Sequence, residues 1–142
     1  MRATLAADRL YALSIRPQEW DGLRDRAELG LRWGPLADDP ATPARRHWFL
    51  LVLEARVRLP AEDPLAAQHP DGLEVLRCGW EAELELPVDL PAAAIDRADE
   101  VVGGLMAKAM ELVNAVAGRA GAEPLLTQAM LDALHRRWAG QG

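Results

Sequence analysis

Cysteine, lysine, tyrosine and phenylalanine each occur only once in this chain of 142 residues. The single cysteine, Cys78, excludes an internal disulfide and any zinc site built from several cysteines. Such sparing use of cysteine is typical of a reducing compartment. We therefore predict a cytoplasmic protein.

Long uninterrupted apolar runs are also missing. Asp8 and Arg9 interrupt the run that begins at Leu5, so the N-terminus does not read as a signal peptide. The stretch from Val101 to Val116 contains charged residues and is too short to span a bilayer. We predict no membrane insertion, and one domain over residues 1–142, because this length suits a single core.

The chain has no excess of basic charge. Its formal net charge is -6 and its pI is near 5.0, which argues against affinity for nucleic acid or anionic membranes. Half of the residues are apolar and 27% are charged. This balance is typical of a folded globular protein rather than a disordered one.

Recognisable catalytic and cofactor motifs are absent. The sequence contains no phosphate-binding loop, dinucleotide fingerprint, paired-histidine zinc motif or nucleophile elbow. His47, His69 and His135 are scattered over different predicted elements, so we expect no metal site. Cys78 has no neighbouring base and reads as a small buried hydrophobe. We predict a protein that is not an enzyme and needs no cofactor.

Apolar and polar residues alternate in four segments, which predicts four strands. The predicted strands cover residues 9–16, 27–33, 47–59 and 73–86, and proline-rich loops separate the last three. A short helix over residues 4–13 is the alternative for the first segment. In the second, Ala27, Leu29, Leu31 and Trp33 share one face.

After Pro91 the spacing of the apolar residues changes from every second residue to every third or fourth residue. A stripe from Ile95 to Val116 predicts one helix, with Gly118 as its stop, and a second helix is predicted over about residues 127–138. Gly103 and Gly104 weaken the first helix, which a close neighbour or a break would explain. The fold class is therefore α+β, a four-stranded antiparallel sheet followed by two C-terminal helices.

Charged clusters read as surface features. Asp38 and Asp39 are interpreted as solvated turn residues. The run of Glu81, Glu83 and Glu85 is interpreted as the polar face of a half-solvated strand, because it alternates with apolar residues.

Five tryptophans in 142 residues form the one compositional excess that suggests binding. Tryptophan is enriched where proteins contact apolar partners, although core packing is the ordinary alternative. We predict an apolar groove lined by Trp20, Trp33, Trp48 and Trp80. Met106 and Met110 are candidates for adaptable contacts beside it.

The order of elements resembles the SecB-like family of protein-export chaperones. The resemblance rests on the segment Glu111–Arg119, on Pro124-Leu125-Leu126 followed by Met130-Leu131, and on Leu36-Ala37-Asp38-Asp39 before the long apolar strand. It covers roughly Tyr11 to Trp138, and the loop over residues 60–72 has no counterpart in it.

The resemblance implies an ATP-independent holdase that binds non-native polypeptide in an apolar groove, as a homodimer or homotetramer. A dedicated adaptor or secretion-type chaperone for one partner is the alternative, and a small-ligand protein or enzyme is a third. The apolar stripe of the long helix predicts an oligomer interface at Val102, Leu105, Ala109 and Leu112. Protein transport is the role that the resemblance implies, but only four residues follow Trp138, whereas SecB has a longer polar tail that helps engage the translocase motor, so the sequence leaves coupling to export open.

Overall fold

The computed structural model describes residues 2–23, 26–37, 39–95 and 98–140. Four strands come first: β1 (Thr4–Ile15), β2 (Ala27–Pro35), β3 (Ala44–Val57) and β4 (Leu73–Leu90). A short helix α1 (Pro17–Leu23) lies between β1 and β2. A 3-10 turn (Ala92–Ala94) leads from β4 into the long helix α2 (Asp99–Arg119), and α3 (Gln128–Ala139) follows.

The four strands form one antiparallel sheet in the order β1-β4-β3-β2. The predicted α+β class, the four strands and the two C-terminal helices are confirmed. β1 begins at Thr4, so the alternative of a helix over residues 4–13 is wrong. Because β3 and β4 are central, β1 and β2 are the two edges of the sheet.

Helix α1 was not predicted. It has seven residues and starts at Pro17, whose fixed φ and missing N–H suit a first helical position. The Trp20 amide donates to the carbonyl of Arg16 at 2.9 Å. A helix of two turns is too short to show a periodic apolar pattern, so α1 could not be recognised from apolar spacing.

Helix α2 continues past Gly118 to Arg119, so the predicted stop was one residue too early. Gly121 follows the helix with φ 81°, a left-handed conformation that glycine adopts without strain. Neither Gly103 nor Gly104 breaks α2. A Cβ on Gly103 would lie 3.3 Å from the His135 ring, so this glycine permits close packing of α3 within the same chain.

The sheet has a helix side and an outer side. α2 packs against β1, β3 and β4, and α3 packs against β2. The odd-numbered residues of β3 face the helices and form the core together with the buried stripe of α2. The largest buried side chains in this core are Trp20, Leu51, Leu53, Leu76, Leu105, Leu125, Leu126 and Leu131.

The segment between α2 and α3 is fixed by one side-chain amide. Asn114 Oδ1 accepts from the amides of Leu125 and Leu126 at 2.9 and 3.0 Å, and its Nδ2 donates to the carbonyl of Leu126 at 2.9 Å. Leu125 and Leu126 are thereby inserted into the core, where both are fully buried. The residues that carry the SecB resemblance therefore include a structural clamp.

Replacing Asn114 tests this clamp. Asn114→Ala removes three hydrogen bonds, and we expect the free energy of unfolding to fall by about 2–3 kcal/mol. Urea unfolding followed by circular dichroism measures the change. The control is Gln128→Ala, which removes an exposed hydrogen bond to Asp132 and should cost less than about 0.5 kcal/mol. Equal losses in the two variants would contradict the clamp.

Candidate functional site

Two of the predicted groove residues lie in one row across the helix side of the sheet. Trp33 of β2 is opposite Leu51 of β3, Leu51 is opposite Trp80 of β4, and Trp80 is opposite Leu10 of β1. Leu51 is fully buried under the helices, whereas both tryptophans are half-buried. The middle of the row is thus covered, and both of its ends reach solvent.

Trp33 is stacked on a neighbouring aromatic ring at the β2 end of this row. Its ring stacks on Phe49 with 4.9 Å between the ring centroids and an angle of 21° between the planes. Ile95, just after the 3-10 turn, and Val101 of α2 pack into the same cluster. A half-buried indole that is already stacked on its neighbour offers apolar contact area with less side-chain freedom to lose on binding.

Trp80 is tied to a polar network at the β1 end. Its Nε1 donates to Asp8 Oδ1 at 2.9 Å, and Lys108 Nζ of α2 lies 2.7 Å from Asp8 Oδ2. The hydrogen bond from Lys108 holds the pKa of the Asp8 carboxyl below its ordinary value of 3.8, against the effect of burial, and the Trp80 bond acts in the same direction. Asp8 therefore joins edge strand β1 to α2.

Trp48 lies on the outer side of the sheet, so the prediction that it shares a groove with Trp33 and Trp80 is wrong. The even-numbered residues of β3 point away from the helices. The Arg9 guanidinium covers the Trp48 ring at 4.6 Å from its centroid and also pairs with the carboxylate of Glu81. Such stacking is a cation–π contact.

Trp20 is a core residue, and its assignment to the groove is wrong as well. Its side chain is 0% exposed, and its Nε1 donates to the carbonyl of Leu125 at 3.0 Å. It therefore has no surface to offer a partner. It anchors the same segment that Asn114 holds.

Three of the four predicted interface residues are also in the core. Val102, Leu105 and Ala109 are at most 1% exposed because they pack on the sheet of their own chain. They are therefore corrected to core residues. Leu112 is half-buried, so part of its side chain reaches solvent.

Helix α2 has 21 residues, more than the apolar stretch that was predicted, and is long and apolar enough by length and composition to cross a membrane. A third of its most apolar window is buried inside the protein. A helix packed on a sheet through one face meets the same criteria.

Ion pairs connect neighbouring strands on the outer side of the sheet. Glu54 lies within 3.4 to 3.5 Å of three arginines from β2, β3 and β4, namely Arg32, Arg56 and Arg77. Arg46 pairs with Glu83 at 3.3 Å and with Glu85 at 3.8 Å. The glutamates of β4 are therefore neutralised across strands and do not form an acidic ridge.

The residues considered for catalysis do not converge. Burial raises the pKa of the Cys78 thiol to about 11, which fits the prediction of a small buried hydrophobe. His47 Nε2 lies 2.7 Å from the carbonyl of Leu90 and 3.1 Å from that of Ala44, which is a structural role. Within the described ranges no three His, Cys, Asp or Glu side chains are grouped to hold a metal ion.

Two further polar features are a turn at Asp39 and a depression between the two C-terminal helices. Asp39 Oδ1 accepts from the amide of Ala41 at 3.0 Å, as expected of a turn residue, whereas Asp38 lies outside the described residues. An open depression of about 290 Å³ lies between α2 and α3. Its lining residues are Asp99, Asp132, His135, Arg136 and Ala139.

The surface that sequence reasoning missed is a strip around Trp33. Leu29, Leu31 and Trp33 of β2 are only half-buried although they face the helices, and Trp138 of α3, the helix that packs on β2, is half-buried as well. We call these four residues the β2 strip. The alternation of β2 places the first three on one face, but only the packed structure shows that α3 leaves them partly uncovered.

Comparison with known proteins places this architecture. No protein-family model matches the sequence, and no curated protein is similar to it. A solved structure of the Mycobacterium tuberculosis Rv1957 SecB-like chaperone, in complex with a ChAD peptide from the Rv1956 HigA1 antitoxin, is similar with a TM-score of 0.50. The fold is SecB-like. The likeness covers 89% of this chain and 90% of that chain at 17% sequence identity, so it establishes the fold alone.

The Asp8 network gives a pH-dependent prediction. Because the pKa of Asp8 is lowered on folding, its pairing stabilises the SecB-like fold above about pH 4, and this contribution is lost as the pH falls through the folded pKa. The difference in free energy of unfolding between wild type and Asp8→Asn should therefore be largest near pH 7 and shrink towards pH 3. Urea unfolding across this range measures it.

The control for this prediction is Asp89→Asn. It alters a carboxylate that is 70% exposed and whose ion pair with Arg45 is long, at 3.7 Å. The substitution should therefore change the free energy of unfolding little at pH 7. A wild-type advantage over Asp8→Asn that is constant with pH would contradict the role given to Asp8.

Proposed function

We propose that this protein is an ATP-independent chaperone that binds apolar segments of non-native polypeptides at the β2 strip. Two observations support the proposal: Trp33 and its apolar neighbours are only half-buried beside the core, and they lie on a SecB-like fold. The compartment proposed for this activity is the cytoplasm.

The chemistry of the strip suits this role. Its members are two leucines and two tryptophans, and Trp33 is already fixed by Phe49. A chaperone that accepts many sequences needs apolar area and adaptable contacts more than exact hydrogen-bond geometry between side chains. The sequence carries no phosphate-binding loop, so the proposal includes no nucleotide step.

A dedicated adaptor for one partner is the second candidate, and the neighbouring structure favours it specifically. That SecB-like chaperone is bound to a peptide from one antitoxin. The two functions differ in breadth. Light scattering of several unrelated unfolded proteins, mixed with this protein without nucleotide, separates them: a general chaperone suppresses aggregation of most of them, and an adaptor suppresses none.

Replacing Trp33 tests the binding surface. Trp33→Ala should weaken binding of reduced, carboxymethylated lactalbumin, a permanently unfolded protein, by about tenfold, because a buried aromatic anchor is worth about 1.4 kcal/mol or more. Fluorescence anisotropy of the labelled client measures the dissociation constant.

Trp48→Ala is the matched control for that experiment. It removes a half-buried tryptophan from the opposite side of the sheet and should leave the dissociation constant within about twofold of wild type. Circular dichroism establishes that both variants fold. Equal weakening by the two substitutions would remove the β2 strip as the binding surface.

We also propose assembly into a homodimer or homotetramer, through β1 rather than through the buried stripe of α2. Leu5, Leu10 and Tyr11 on this edge strand are 39, 43 and 63% exposed. β1 spans 12 residues, so it offers a long edge for pairing with another chain. We propose half-buried Leu112 of α2 as a further contact in this assembly.

Two leucines of similar exposure test the assembly. Leu10→Glu should lower the sedimentation coefficient to that of a monomer with secondary structure retained, because it places a charge on the proposed interface. Leu65→Glu, on a loop leucine that is 45% exposed, should leave the assembly intact. Leu105→Glu should instead unfold the protein, since Leu105 is core. A wild-type monomer at all concentrations would refute the proposal.

A further inference from the structure

Successive residues of β2 direct their backbone N–H and C=O groups alternately towards β3 and towards the free edge. Two hydrogen bonds show which residues face which way. The amide of Leu36, just after β2, donates to the carbonyl of Trp48 in β3 at 2.9 Å, so even-numbered residues direct their backbone groups into the sheet. Arg137 Nη2 of α3 donates to the carbonyl of Leu29 at 2.8 Å from the other side. Odd-numbered residues therefore direct their N–H and C=O groups outward.

Leu31 and Trp33 consequently present unpaired backbone groups at the free edge. The β2–β3 register runs without a bulge from Ala27 to Pro35, so the phase holds at both residues. Within the described part of the chain, neither residue makes a hydrogen bond on its outward side. The side chains of both belong to the β2 strip, so polar backbone and apolar contact area are adjacent.

This free edge is short because it is closed at both ends. Arg137 occupies the carbonyl of Leu29 at one end. Pro35 at the other end has no N–H to donate. The open edge covers three residues, Leu31 to Trp33, and at roughly 3.4 Å per residue it is about 10 Å long.

The geometry points to strand addition: an extended segment of the non-native polypeptide pairs with the backbone of Leu31 and Trp33, while its alternate side chains contact the β2 strip. This inference rests on the proposed function and adds how the client is held. Backbone pairing is independent of sequence, so it suits a protein that binds unrelated clients. Arg137 and Pro35 set the register and the length of the bound segment.

A second copy of this chain does not suit the same edge. Pairing over about 10 Å would bury far less than the roughly 1,200 Å² typical of a stable interface. The 12-residue strand β1 offers a much longer edge for assembly. The occupant assigned to the β2 edge is therefore a client segment.

Amide hydrogen exchange on the unmodified protein tests the pairing directly. On saturation with reduced, carboxymethylated lactalbumin, the amides of Leu31 and Trp33 should exchange at least tenfold more slowly when followed residue by residue by NMR. The amides of Gly30 and Arg32 already face β3 and should change little, which makes them internal controls. Protection of Leu31 and Trp33 before the client is added would show copy-to-copy pairing and overturn the inference.

Two variants of Leu31 separate backbone from side chain. Leu31→Pro removes the outward N–H, and proline is tolerated on an edge strand when that N–H faces away from the sheet. Leu31→Ala shortens the side chain and keeps the N–H. The proline variant should bind the unfolded client at least tenfold more weakly than the alanine variant. If Leu31→Pro does not fold, the exchange measurement still decides.

The outcomes distinguish this inference from the proposed function. If wild type binds the client but the Leu31 and Trp33 amides gain no protection, chaperone activity stands and strand addition is wrong. If wild type binds no unfolded client, both fall. Arg137→Ala frees the Leu29 carbonyl, so under the inference client binding should be unchanged or tighter. A loss of binding with the fold intact would show that Arg137 contacts the client itself and would overturn its assigned role.

Discussion

The packing of α2 over the middle of the sheet decides which apolar side chains reach solvent. Its stripe covers Leu51 at the centre of the transverse row and leaves Trp33 and Trp80 partly open at the ends. The position of α2 in turn depends on the segment after it, because Asn114 and Trp20 both bond to the backbone there. The hydrogen bonds of Asn114 and Trp20 therefore contribute to how far Trp33 and Trp80 are exposed, although neither Trp33 nor Trp80 takes part in them.

Local patterns in the sequence predicted the elements well, because strand alternation and helix period are properties of neighbouring residues. The common face of Leu29, Leu31 and Trp33 was also readable. The stripe at Val102, Leu105 and Ala109 was predicted to be an oligomer interface, whereas it packs on the sheet of its own chain. Periodicity reports that a helix face is covered and does not report whether the cover is the same chain or another subunit.

The tryptophans show a second limit, which is that register is non-local. Trp33 and Trp80 lie in one row only because β2, β3 and β4 pair as they do, across separations of up to 47 residues. A shift of one residue would have sent either indole to the outer side. Trp20 was beyond reach for another reason: its helix is too short for a pattern, and its partner Leu125 is 105 residues away.

The two edges of the sheet are protected differently, and this difference separates the proposed roles. β2 is shortened as a pairing site by Arg137 and Pro35, whereas β1 carries exposed leucines over a longer span. The outer side adds little to either role, because cross-strand ion pairs neutralise its glutamates and Arg9 covers Trp48. The apolar side chains that carry the two proposed roles therefore lie on the helix side of the sheet and along its edges. A client that is bound at β2 would then leave β1 free for assembly.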